Sequence, residues 1–153
     1  MAKRKGTVDI SRKPATLRRA LAESTLAAPA EVITAIRDDD LSKADPLATA
    51  RAAGMLAAKA TPSLVPHCHP IAVTTVSFEF EFSETAVAIR CDVTANDRTG
   101  PEMEALVGAA VAALTLYDMI KGTTRDARIV ETRLIEKEGG KSGRWHAEGG
   151  GDE

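Results

Sequence analysis

Between Ile71 and Phe82 the chain reads IAVTTVSFEFEF, and its end alternates strictly: Phe78, Phe80 and Phe82 with Glu79 and Glu81. A period of two is the pattern of a half-buried strand, apolar on one face and wet on the other. Ser83-Glu84-Thr85 then separates it from Ala86–Thr94 (AVAIRCDVT), where Val87, Ile89, Cys91 and Val93 take one face and Arg90 and Asp92 the other. Two such strands joined by three residues predict an antiparallel hairpin. Its apolar face needs a covering layer, which limits the chain to a few layered architectures.

The flanking segments supply that layer. Leu47–Ala60 reads as a helix, with Ala48, Ala52 and Met55 as a small-residue face suited to close packing and Pro62 and Pro66 ending it. Thr99-Gly100-Pro101-Glu102 opens a second helix with proline and acidic residues in its first turn; it runs to about Lys121 and stops at Gly122. Pro29–Arg37 is a short helix with Val32, Ile33 and Ile36 on one face, and DDDLSKADP is a polar connection. Ala127–Lys137 reads as a last strand. Thr16–Thr25 (TLRRALAEST) is helical by local propensity but weakly patterned, which leaves an extended reading open. With that segment extended, the order is β-α-β-β-α-β: an α+β, ferredoxin-like arrangement, an antiparallel sheet with helices packed on one face.

At 153 residues the chain suits a single domain, residues 1–153, with flexible ends at about 1–6 and 144–153. Aromatic residues are 3% of the chain, too few for a base-stacking platform. Twenty basic and 22 acidic residues give a net charge of −2, so no basic field attracts nucleic acid. Cys68 and Cys91 form no disulfide framework. The N-terminal MAKRKGTVDI lacks the apolar core of a secretory signal, and no charge-free stretch of about 18 apolar residues suggests a membrane span. A soluble, cytoplasmic protein is expected.

Four stretches can carry chemistry. Val65-Pro66-His67-Cys68-His69-Pro70 holds two of the three histidines between two prolines, at the mouth of a strand. Imidazole there can serve as acid or base; a rigid connection with Cys68 buried is the plain alternative. A metal is disfavoured, because His67, Cys68 and His69 are too crowded to supply three or four ligands. On the second helix Glu104, Gly108, Val111, Thr115 and Asp118 fall near one line. Glu104 and Asp118 are nevertheless ~21 Å apart along the axis, so one chain cannot bring both to one small reacting centre. Asp118 and Lys121 are i,i+3 neighbours, the spacing of a surface ion pair. Gly139-Gly140-Lys141-Ser142-Gly143 resembles the end of a phosphate-binding loop, but Ile135 stands where the first glycine is required, and no helix pattern follows. Its backbone N–H groups, with Lys137 and Lys141, can still wrap an anion, although a solvated tail explains the composition equally well. Lastly, Lys43, Arg51 and Lys59 around the first long helix, with Arg18, Arg19, Lys121 and Lys137, would make a pocket for a phosphorylated ligand if they converge.

Taken in order, TVDISRKPATLR, KADPLATARAAGMLAAKATPSLVPHCHPI, TGPEMEALVGAAVAALTLYDMIK and RLIEKEGGKSG cover the chain from Thr7 to Gly143. Together they resemble the cyclic pyranopterin monophosphate synthase family, the molybdenum cofactor biosynthesis protein C family. The resemblance implies a lyase that converts 3′,8-cyclo-7,8-dihydro-GTP into cyclic pyranopterin monophosphate and releases pyrophosphate. It also implies a ferredoxin-like fold and a homohexamer of three dimers with active sites at subunit interfaces. The small-molecule substrate and the chain itself are the only partners implied, with no cofactor, no metal, no nucleic acid and no membrane. By motif, the family's catalytic aspartate falls on Asp118, with Lys121 one turn on. Lys43 and His69 complete the catalytic set that the resemblance implies. His67, Cys68 and His69, Glu102, Met103 and Glu104, and Arg18, Asp9, Lys137 and Lys141 are implied to touch substrate. Thr7 stands where many relatives have Met, and His67 where many have leucine. A non-catalytic ferredoxin-like module that binds a nucleotide or regulates a partner is the alternative.

Overall fold

The computed structural model describes residues 5–43 and 45–148. In chain order the elements are β1 (Thr16–Ala27), α1 (Ala30–Arg37), α2 (Pro46–Lys59), α3 (Thr61–Leu64), β2 (Val73–Phe82), β3 (Ala86–Asp97), α4 (Glu102–Ile120), β4 (Arg128–Glu138) and β5 (Trp145–His146). They build one five-stranded antiparallel sheet in the order β2-β3-β1-β4-β5. Among the described residues helices cover one face only, so the architecture is α+β and ferredoxin-like.

Strand alternation sorts the two faces. On β1, Ala20, Ala22, Ser24 and Leu26 point to the helices, and on β3 Val87, Ile89, Cys91, Val93 and Ala95 do the same; all are fully buried. β1 is therefore the central strand, paired with β3 and β4, and pairing on both sides overrides its helical local propensity. Ser24 Oγ lies 2.9 Å from Thr132 Oγ1, which satisfies the one buried hydroxyl in this row. The open face carries charge ladders, with Arg90 between Glu23 and Glu81 and Arg19 on Asp92.

α4 lies over β1, β3 and β4, with α2 beside it. Taken alone, α4 is long and apolar enough to cross a membrane, its charges lying near its ends. Here it buries Ala105, Ala109, Ala112, Ala113, Leu116 and Ile120 in the core. The buried face of α2 is Ala50, Gly54, Ala57 and Ala58, not the Ala48–Ala52–Met55 stripe, of which Ala48 and Ala52 are exposed. Gly54 decides the face. A Cβ there would sit 2.8 Å from the Gly108 carbonyl, and one on Gly108 would sit 2.7 Å from Cys91 Sγ, so the helices cross where neither has a side chain. α2 ends at Lys59, before either proline, and Pro62 instead lies in the first turn of α3.

β4 contains an irregularity that positions the site. Leu21 pairs with Glu136 and Ala22 with Leu134, which leaves Ile135 as an extra, bulged residue. The bulge reverses the alternation, so Glu136 faces the open side and Lys137, opposite Ala20, faces the helices. The chain then turns through Gly139–Gly143 into β5, which falls within the end expected to be flexible from about residue 144. Residues 149–153 and 1–4 of the expected flexible ends lie outside the described residues.

Candidate active site

Most of the residues singled out in the sequence gather into two groups, one at each end of α4. At its C-terminal end Asp118 is exposed on the last turn. Lys121 pairs with its Oδ1 and Lys43 Nζ lies 3.7 Å from Oδ2, while the same Lys43 ammonium donates to the Asp118 carbonyl at 3.2 Å. The hydrogen bond and charge of Lys121, then Lys43, hold the Asp118 carboxyl below the usual range, and Asp118 in turn raises Lys121. Beside this triad runs a recess of about 510 Å³ walled by Val111, Leu114, Thr115 and Tyr117. Leu114 is 56% exposed there, an apolar wall next to three charges.

At the N-terminal end Glu104 is 1% exposed. The segment after α3 brings Cys68 over it, and the Cys68 thiol donates to Glu104 Oε1 at 3.5 Å. Among the described residues Glu104 Oε2 has no hydrogen-bond partner. Burial raises the Glu104 carboxyl, which favours the protonated acid. Burial first and Glu104 second push the Cys68 thiol up to about 11. Glu102 accepts from Lys137 Nζ at 3.3 Å, and Met103 is exposed. His69 is half-buried and close enough to Asp9 for its charge to add to the lowering of that carboxyl; the main cause is the Ser11 N–H donated to Asp9 Oδ1 at 2.9 Å. His67 is exposed.

Arg18 completes this end. Its Nε donates to the Asp97 carbonyl at 3.2 Å, and its guanidinium packs on Gly140. With Lys13, Thr16 and Lys141 it lines a cavity of about 370 Å³. Three cations around one cavity suit an anionic ligand. Lys13 is absent from the residues chosen in sequence; its signal is its position in the SRKPATLR segment, five residues before Arg18.

The suspected basic pocket does not form as a whole. Arg51 stacks over Phe80, 5.4 Å from the ring centroid, Arg19 is engaged by Asp92 and Glu136 on the open face, and Lys59 is exposed. Lys43 and Lys121 sit at one end of α4 and Lys137 and Arg18 at the other. Among the described residues no three His, Cys, Asp or Glu side chains come together as metal ligands.

Residues 7–140 match the MoaC family model. The chain belongs to the MoaC family. It is 46% identical over 145 residues to the "Cyclic pyranopterin monophosphate synthase" of Pelobacter propionicus, covering 94% of this chain and 91% of that one. To the protein of the same name from Trichlorobacter lovleyi it is 49% identical over 143 residues, 92% and 89% of the two chains. To "Cyclic pyranopterin monophosphate synthase 2" of Mycobacterium bovis it is 47% identical over 138 residues, 90% and 83%. For a MoaC-family chain, the segments bearing Asp118, His69 and Glu104 lie inside the matched region, and Lys141 falls one residue beyond it.

Proposed function

We infer that the protein is a cyclic pyranopterin monophosphate synthase, a lyase of molybdenum cofactor biosynthesis acting on 3′,8-cyclo-7,8-dihydro-GTP. The observation that carries this is near-half identity, across nine-tenths of the chain, to relatives bearing that name. The alternative of a non-catalytic nucleotide-binding module is not favoured.

The geometry supports a division of labour. Closing the cyclic phosphate requires a hydroxyl to attack the α-phosphorus, its proton to leave and the bond to the β-phosphate to break, releasing pyrophosphate. Lys13, Arg18 and Lys141 supply positive charge for the phosphates. Lys121 and Lys43, oriented by Asp118, supply proton-bearing groups for ring opening and reclosure. His69 is the acid–base candidate of the other group, and Glu104, its carboxyl raised by burial, lies beneath Cys68 at that end. Cys68, Met103, Glu102, Lys137, Asp9 and His67 shape and charge the substrate cleft.

The two groups lie ~21 Å apart along α4 by helical rise. A site that uses both takes one group from each of two chains. A homohexamer with sites at subunit interfaces meets that requirement, and the apolar wall beside Asp118 suits a protein surface. A cytoplasmic location, a single domain and the absence of a resident cofactor belong to the same reading.

The test is incubation with 3′,8-cyclo-7,8-dihydro-GTP and separate detection of the pterin product and of pyrophosphate. Both are expected in equal amounts. Neither product from folded, assembled protein refutes the reading.

A further inference from the structure

Behind the anion cavity, on the face of the sheet that no helix covers, stands a set of charges the proposed reaction does not use. Glu136 is 7% exposed although it belongs to that open face. Its Oε1 lies 2.9 Å from Arg144 Nη2 and 3.4 Å from Arg19 Nη1, and its Oε2 lies 3.5 Å from His146 Nδ1. Arg144 Nε also reaches Glu138 Oε1 at 3.3 Å. Arg144 and His146 come from the segment after the Gly139–Gly143 turn. β5 there is two residues long, pairing Glu136 with His146 and Lys137 with Trp145, and the Ala147 N–H donates to the Ile135 carbonyl at 2.9 Å. So short a strand is not stable by its ladder alone. The ion cluster supplies the remaining attachment.

The attachment restrains the turn. Gly139, Gly140 and Gly143 have φ of +98°, +72° and +64°; Gly139 has no room for a Cβ against the Leu17 carbonyl, and Gly140 packs against the Arg18 guanidinium. A five-residue turn with three glycines samples many shapes if its far end is free. Lys141 sits on this turn and lines the cavity with Arg18. Strand alternation links the two faces: Arg19 and Glu136 point to the open side, and their neighbours Arg18 and Lys137 to the side of the site. Fixing the first pair fixes the backbone that carries the second.

We propose that residues 144–146 form a strap, clamped to Glu136, that holds the Gly139–Gly143 turn so that Lys141 and Arg18 together bind the phosphates of the ligand. Glu136 and Arg144 are positioning residues, since neither touches the cavity. The phosphate role rests on the function proposed above.

The test uses the full chain and three readouts: tryptic cleavage after Lys141, affinity for inorganic pyrophosphate, and KM and kcat for the cyclised GTP substrate. Arg144→Ala, at an exposed position, is expected to speed cleavage and to weaken pyrophosphate binding, each about tenfold, with KM raised and kcat held. Lys141→Ala should weaken binding similarly, and the Arg144→Ala/Lys141→Ala double variant no further, because both act through one turn. Glu136→Ala should behave like Arg144→Ala and Glu136→Asp should recover part of the loss; if Glu136→Ala does not fold, Arg144→Ala carries the test. Unchanged cleavage or unchanged pyrophosphate affinity in Arg144→Ala overturns the strap, as does failure of the parent protein to bind pyrophosphate. Absence of turnover, with cleavage and affinity still responding, removes the functional reading and supports the strap.

Discussion

Glu104 and Asp118 are carboxyl groups of one helix in opposite electrostatic situations. Asp118 is exposed between two ammonium groups, so it stays ionised at neutral pH, and its removal costs the fold little. Asp118→Ala is expected to lower turnover at least about 100-fold, with the melting temperature unchanged; near-normal turnover would remove Asp118 from the mechanism. Glu104 is buried with one oxygen unpaired, and its folded pKa lies above the unfolded value of 4.5. The folded state therefore binds more protons than the unfolded state. The stabilising contribution is complete below pH 4.5 and is lost as pH rises through the raised folded value. Glu104→Gln cannot titrate. From pH 4.5 to pH 8 the parent protein should lose more stability than the variant by thermal unfolding, and equal losses would show that Glu104 titrates normally.

Helices α2 and α4 meet at Gly54 and Gly108, and that contact sets what the element scale tolerates. Gly54→Ala would press a methyl group on the Gly108 carbonyl and the Phe78 ring. The expected net loss is about 1–2 kcal/mol after the gain in helix propensity. That corresponds to about 2–4 °C of melting temperature per kcal/mol for a domain of this size. Gly122→Ala, with nothing within 4 Å of the added atom, serves as the control and should be neutral or better. The same contact explains what was readable in sequence. Phe78, Phe80 and Phe82 against Glu79 and Glu81 announce their strand because large apolar and charged residues contrast strongly. In α2 alanine occurs on every side, so the pattern could not select the packed face. β1 alternates Ala20, Ala22 and Ser24, too small to stand out, and only its two neighbours make it a strand. The family motifs marked Asp118, His69 and Glu104, and residue counting along α4 already separated the groups. β5, held by ion pairs and a two-residue ladder, left no periodic trace.

At the scale of the molecule, a site that used the groups at both ends of α4 would make assembly part of the chemistry. Leu56, Leu64 and Leu114 are 69%, 59% and 56% exposed, apolar surface open to a second chain. If Asp118 and His69 of one site come from different chains, mixing Asp118→Ala with His69→Ala subunits leaves some sites with both lesions and some with none. Random exchange should restore about a quarter of the sites. Activity measured before and after verified exchange reads this directly. No recovery would place the pair within one chain, and a fully active monomer would exclude a shared site.

The bulge at Ile135 gives β4 a property that no single side chain carries. Beyond it, which residues face the helices depends on Ile135 staying out of the ladder. Replacing Ile135 with another residue keeps the count, and Lys137 stays beside Glu102. Were Ile135 drawn into the ladder opposite Leu21, Glu136 would fall opposite Ala20, on the side of the helices, and Lys137 would turn to the open face, toward bulk water; deleting Ile135 leaves both in their present pairs. Along this strand, the pairing register matters more to the site than the letter at position 135.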